Sequence, residues 1–259
     1  MNQLGPALPF AVALCIGMLA AFAAGGRLGL RRLAKNPNED MTNFGVVEGA
    51  VLGLYGLLIA FTFSSAANRF DSRRGQIVEE ANNIGTAYLR IDLLPKEDQP
   101  AMRERFRRYL EARLATTRSV PNSQAFRDGL AQGARIQTEI WQAAVAGTRS
   151  PDAHVDGGKL LLPALNAMID ITTTRMMATR IHPPDIIFGL LFLLAVACST
   201  IAGYTLAGRA ARSWLHIGAF IAASVIAGYV ILEVEYPRVG LIRLDAADKV
   251  MEDLRETMR

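Results

Sequence analysis

Charge is almost absent from four stretches of this chain and dense between them. Residues 7–24, ALPFAVALCIGMLAAFAA, carry no charged side chain, and 45–65, GVVEGAVLGLYGLLIAFTFSS, carry only Glu48. The pattern returns at 186–208, just after Pro183-Pro184, and at 214–232. At 1.5 Å per residue, each stretch is long enough to cross a hydrocarbon layer about 30 Å thick. Backbone groups in lipid must be satisfied within the segment, so all four are predicted to be transmembrane helices.

The polar residues between the second and third stretches also fall into helical patterns. Ile77, Ala81, Ile84, Tyr88 and Ile91 recur at helical spacing. The second span is therefore expected to leave the membrane as one long helix that ends near Pro95. Residues 98–118 place Met102, Phe106, Tyr109, Leu110 and Leu114 on one face. Ser123 suits the N-cap of a helix over 124–146, residues 147–158 form a loop, and a helix over 159–181 returns to the membrane. No alternating strand pattern and no repeat occurs. The expected fold class is all-α: an integral membrane protein with four transmembrane helices and a helical insert between spans two and three. The expected divisions are 1–65, an insert at 66–183, a second helix pair at 184–234 and a tail at 235–259.

Composition agrees with this division. Charged residues make up 20% of the chain, against about 25% in an average soluble domain. Residues 66–183 hold 17 of the 28 Lys+Arg and 13 of the 24 Asp+Glu, so the net charge of +4 falls in the insert. A single soluble globule, a disulfide scaffold and a disordered chain are excluded. Basic and acidic residues alternate, as in Arg103-Glu104-Arg105, which marks a solvated helix face and no nucleic-acid footprint. Nothing before Arg27 is charged, so the first span lacks the basic start of a signal peptide and is expected to be retained. Cys15 and Cys198 lie in apolar stretches and suit packing.

Catalytic patterns are missing. His154, His182 and His216 have no second ligand at i+4, and no Walker, GxGxxG, GxSxG or HExxH motif occurs. The chain is expected to be no enzyme, with no cofactor and no metal site. Glu79, Glu80 and Asp92 are expected to lie on a solvated or salt-bridged helix surface. The second span instead holds a row at i+4 spacing: Gly45, Gly49, Gly53, Leu57, Phe61, Ser65 and Arg69. Small residues at this spacing let helices approach closely in lipid. The row is either a packing seam within one subunit or the lining of a symmetry axis. In the second case Gly45 and Gly49 pack helices, and Gly53, Leu57 and Phe61 form a constriction. Ser65 and Arg69 then ring its mouth, as in pores that gate by dewetting and select by charge. Glu48 either faces water inside the bundle or sits at headgroup depth.

The run from Arg31 to Arg90 resembles the bestrophin-like family of membrane proteins. The resemblance rests on the glycine-rich span running into Glu80-Ala81-Asn82, then Leu89-Arg90 and Leu94-Pro95. The segment EVEYPRVGLIRLD, 233–245, is similar to that family's second signature, with Pro237 and Gly240. Phe61, Arg69-Phe70 and Arg74 further resemble the pore-lining span of bestrophin channels, although Gly53 replaces the bulky apolar residue of their neck. That resemblance implies a homopentameric channel for small inorganic ions and leaves its selectivity open, since bestrophin channels conduct mainly anions and some bacterial members pass cations; anion preference is the expectation adopted. Arg74, from that pattern, and Glu48, from its place inside the span, are the ion or gating candidates. The alternative is a non-conducting sensor or scaffold whose amphipathic helices bind a protein or ligand. Either way the expected location is a cell membrane, in a bacterium the inner one.

The resemblance and the loop charges disagree on topology. Arg27, Arg31, Arg32, Lys35, Arg209 and Arg212 outnumber Glu39 and Asp40 in the two short loops, which the positive-inside rule places in the cytoplasm. The bestrophin resemblance puts the insert there instead.

Overall fold

The computed structural model describes residues 6–35, 44–119, 123–207, 214–237, 242 and 245–258. Glu39, Asp40, Arg209, Arg212 and Gly240 lie outside the described residues. Among those described there is no strand. The described residues form eight α-helices in order: α1 Ala7–Lys35, α2 Phe44–Leu89, α3 Gln99–Arg118, α4 Gln124–Thr148, α5 Gly157–Ala178, α6 Asp185–Thr205, α7 Trp214–Glu235 and α8 Asp245–Thr257. A 3-10 turn, Arg90–Leu93, ends the course of α2. Among the described residues four helices are long and apolar enough to cross a membrane: α1, the α2 segment, α6 and α7.

The chain divides into two compact units. The first comprises Met1–Phe70 and His182–Ile242. Here α1 and α6 lie parallel along a glycine seam. A Cβ on Gly25 would overlap the Thr200 carbonyl, and one on Gly203 would overlap the Phe22 carbonyl. Close backbone approach of this kind is how helices gain dispersion contacts in lipid, where apolar burial gives no driving force. Leu14, Met18, Tyr55, Leu191, Ala195, Cys198 and Ile221 form the buried cluster. Edge-to-face ring pairs, Phe10 with Phe188 and Tyr55 with Phe220, add directional contacts across it.

The second unit comprises Asp71–Ile181 and Arg243–Arg259. Its interior is filled by Ile77, Ile84 and Ile91, by Phe106, Tyr109 and Leu110 of α3, by Ile140 of α4, and by Leu161, Leu165 and Met168 of α5. The spacing of 7 residues between each of those isoleucines is two helical turns, which keeps them on one face. Ser123 caps α4 by accepting from Phe126 N at 3.1 Å. The 149–156 loop is tied to the 3-10 turn, His154 N donating to Leu93 O at 3.1 Å. Arg73, buried, donates to the Ala178 and Ile181 carbonyls and so places a cation at the C-terminal end of α5. The amphipathic α8 buries Ala247 and Met251, and Arg107 Nε donates to the Met258 carbonyl at 2.9 Å.

Candidate functional site

Within the first unit, α2 buries a narrow stripe and leaves the opposite side bare. Tyr55, Thr62 and Ala66 are buried, at spacings of 7 and 4 residues that share one face. On the opposite side, Leu57 is 51% and Phe61 63% exposed. A Cβ built on Gly45, Gly49, Gly53 or Gly56 would meet nothing within 4 Å. Among the described residues these glycines therefore form no packing seam within the subunit. The apolar window of α2 is 11% buried, against 28% for α1, 28% for α6 and 33% for α7. Of the four candidate spans, α2 is the least packed inside its own chain.

The seven-residue row does not stay on one side. Each i+4 step overshoots a full turn by about 40°, so six steps rotate it by about 240°. Gly53, Leu57 and Phe61 remain together on the exposed side, and Ser65 is exposed as well. Arg69 has turned inward, where its Nε donates to Glu235 at 2.8 Å. The Glu235 carboxylate is fully buried and also meets His182 Nδ1 at 2.9 Å. The His182 ring stacks on Tyr236, 4.6 Å between centroids. Neighbouring Glu233, also buried, accepts from Ile242 N at 3.3 Å. The acidic pair of the 233–245 segment is thus built into the end of α7, with Glu235 holding α2 and the start of the α6 segment together.

The remaining candidates are less engaged. Glu48 is half-buried in the second turn of α2 and accepts from Thr205 Oγ1 at 3.4 Å. A carboxylate so near a helix N-terminus is favoured by the helix dipole. Arg74 is exposed and sits 3.5 Å from Asp71, an i,i+3 pair of small energetic weight. Among the described residues no group of three or more His, Cys, Asp or Glu side chains is arranged to hold a metal ion.

The second unit contains a buried ionic network, and at its centre is Glu80, expected from the sequence to lie on the helix surface. Glu80 has no solvent exposure and accepts from Arg113 Nε at 2.6 Å, from Arg113 Nη2 at 3.2 Å and from Arg175. Gln137 Nε2 donates to the buried Tyr109 hydroxyl at 2.9 Å beside it. Burial alone would raise the Glu80 carboxyl, but the two guanidinium groups outweigh it and hold the value below the usual range. Burial pushes the Tyr109 phenol up. One signal was present in the sequence: Glu80 lies between Ile77 and Ile84 on the buried face of its helix.

A family model described as bestrophin-like domain matches residues 17–247. The chain belongs to the bestrophin-like family. Its residues Glu80-Ala81-Asn82 therefore have a structural meaning here, since Glu80 is the acceptor at the centre of the insert. This bestrophin-like chain is also similar to a solved structure described as "Crystal structure of a membrane protein P143A". The two share 14% identity at a TM-score of 0.61, over 97% of this chain and 98% of that one. At that identity the likeness is one of fold. No curated protein matches the chain. It is a bestrophin-family membrane protein.

Proposed function

We propose that this chain is the subunit of an oligomeric ion channel in a cell membrane, with the exposed face of α2 turned toward the symmetry axis. The observation that carries this reading is the bareness of that face. An apolar span with four glycines that meet nothing within 4 Å has its close-packing surface left for another copy. Around an axis, Leu57 and Phe61 from each subunit make an apolar constriction that excludes water, while Gly53 leaves a wider ring beside it. Gly45 and Gly49 serve contacts between copies. A homopentamer follows from the resemblance to bestrophin channels.

Ser65 and Arg69 stand toward the polar end of the row. Arg69 shares its charge with Glu235, whose carboxylate also meets His182 Nδ1 at 2.9 Å. Anion preference at this mouth rests on the Arg69 guanidinium. Glu48 and Arg74 are assigned to ion entry or gating at either side of the apolar segment. The competing reading, a non-conducting scaffold, is favoured by a groove of about 440 Å³ lined by Arg108, Glu111, Gln132, Arg135 and Glu139 on α3 and α4. Flux assays on purified protein in liposomes separate the two. The channel reading expects chloride, nitrate or potassium to pass, and Arg69→Gln to lower the chloride-to-potassium ratio. An intact oligomer that passes none of them at any pH or calcium level supports the scaffold.

A further inference from the structure

The first helix continues beyond its membrane-spanning part. Its uncharged stretch, residues 7–26, is 20 residues long, which at 1.5 Å per residue spans about 30 Å, the thickness of the hydrocarbon layer. The helix then runs unbroken to Lys35, so its last turns lie at headgroup depth. Arg27, Arg31 and Lys35 follow one another there at i, i+4 and i+8, all exposed. None of the three makes an ion pair among the described residues. Arg32 is engaged differently: it donates to the Tyr204 hydroxyl at the end of α6, with its Cζ 5.6 Å from that ring's centroid. One base thus packs against the partner helix, and three form a row facing outward. Leu28 and Leu30, exposed beside them, supply apolar contact at the same depth, the combination found on helices that lie at a membrane interface.

We propose that the Arg27, Arg31 and Lys35 row binds the anionic lipid headgroups of the leaflet in which α1 ends. The two guanidinium groups, nearest the hydrocarbon edge, suit bidentate contact with a lipid phosphate. Lys35, one turn farther out, reaches the outer part of the headgroup on a flexible stem. Each such cation strengthens attraction to an anionic surface about 5-fold, and three together about 100-fold. The site does not depend on whether the chain conducts ions.

The test uses the full-length protein in a neutral detergent, titrated with short-chain phosphatidylglycerol while its thermal midpoint is followed. The wild-type midpoint should rise. The triple variant Arg27→Gln, Arg31→Gln, Lys35→Gln should need about 100-fold more lipid for the same rise. Salt at 0.5 M, where the screening length falls to about 4 Å, should suppress the wild-type response. An equal rise with phosphatidylcholine of the same chain length overturns the proposal in favour of acyl contacts. An equal rise with inorganic phosphate overturns it in favour of a free-anion site. A triple variant that responds like wild type also overturns it. If that variant fails to fold, the wild-type headgroup and salt series decide alone, and a response indifferent to both refutes the site.

Discussion

Replacing Glu80 by Gln removes a buried charge with almost no change of volume. In the wild type the carboxylate faces Arg113 and Arg175, whose side chains are only 9% and 11% exposed. The amide leaves both guanidinium groups without a counter-charge and offers a donor where an acceptor is needed. Removing one partner of a buried ion pair costs about 3–5 kcal/mol, most of it the penalty on the charges left behind. At 1.36 kcal/mol per tenfold, the lower figure corresponds to about 150-fold less protection against amide hydrogen exchange in α3 and α5. Hydrogen exchange on the purified full-length protein reads this directly. Glu79→Gln is the control, because Glu79 is exposed and such changes stay within about 0.5 kcal/mol. If the two variants exchange alike in α3 and α5, the buried network does not hold the insert together.

The same carboxyl gives the insert a dependence on pH. Its value in the folded protein is depressed, burial opposing and the two arginines prevailing. A depressed acid stabilises the fold fully above its unfolded value, near 4.3, and that stabilisation is lost as pH falls through the folded value. Protection of α3 and α5 should therefore hold from about pH 8 to about pH 5 and fall only in stronger acid. Glu80→Gln should lack this acid transition.

Three further outcomes follow from the geometry. Gly25→Val drives a branched side chain into the Thr200 carbonyl and should destabilise the α1–α6 pair by at least about 1–3 kcal/mol, seen as a lower thermal midpoint. Gly49→Val meets nothing within the subunit and should leave that midpoint unchanged while reducing the yield of oligomer on size exclusion. Ser123→Ala removes the bond to Phe126 N and should cost about 1 kcal/mol, as faster exchange in the first turn of α4. On topology, cysteines placed at positions 30 and 155 in a background lacking Cys15 and Cys198 should label from opposite sides in intact cells. Labelling of both from one side would contradict four spans.

The helices were legible because each was written locally. A charge-free run of 18 or more residues has one stable form in lipid. The spacing of Ile77, Ile84 and Ile91 carried the second helix well past Ser65, and Ser123 announced α4 by its capping oxygen. What stayed hidden depends on partners distant in sequence. Glu80 meets Arg113 and Arg175 at separations of 33 and 95 residues, and nothing local distinguishes it from exposed Glu79 except its place between two isoleucines. Arg69 was grouped with Phe61 because an i+4 row looks straight on paper, whereas on a helix it precesses until it reaches Glu235. Glycine patterns alone do not say which seam closes within the subunit. Gly25 and Gly203 make the tight backbone contacts, while the richer glycine row of α2 meets nothing inside the chain.

The claim that the bare face of α2 lines a pore is tested most directly by the double variant Leu57→Ala, Phe61→Ala. Both side chains are exposed in the subunit, so truncating them should open no cavity within it. Purified wild type and variant, matched for oligomer size, are compared for chloride and potassium flux into liposomes. A pore constricted by these side chains predicts higher flux in the variant with the oligomer intact. Unchanged flux, or an oligomer that falls apart with no gain in flux, would contradict it.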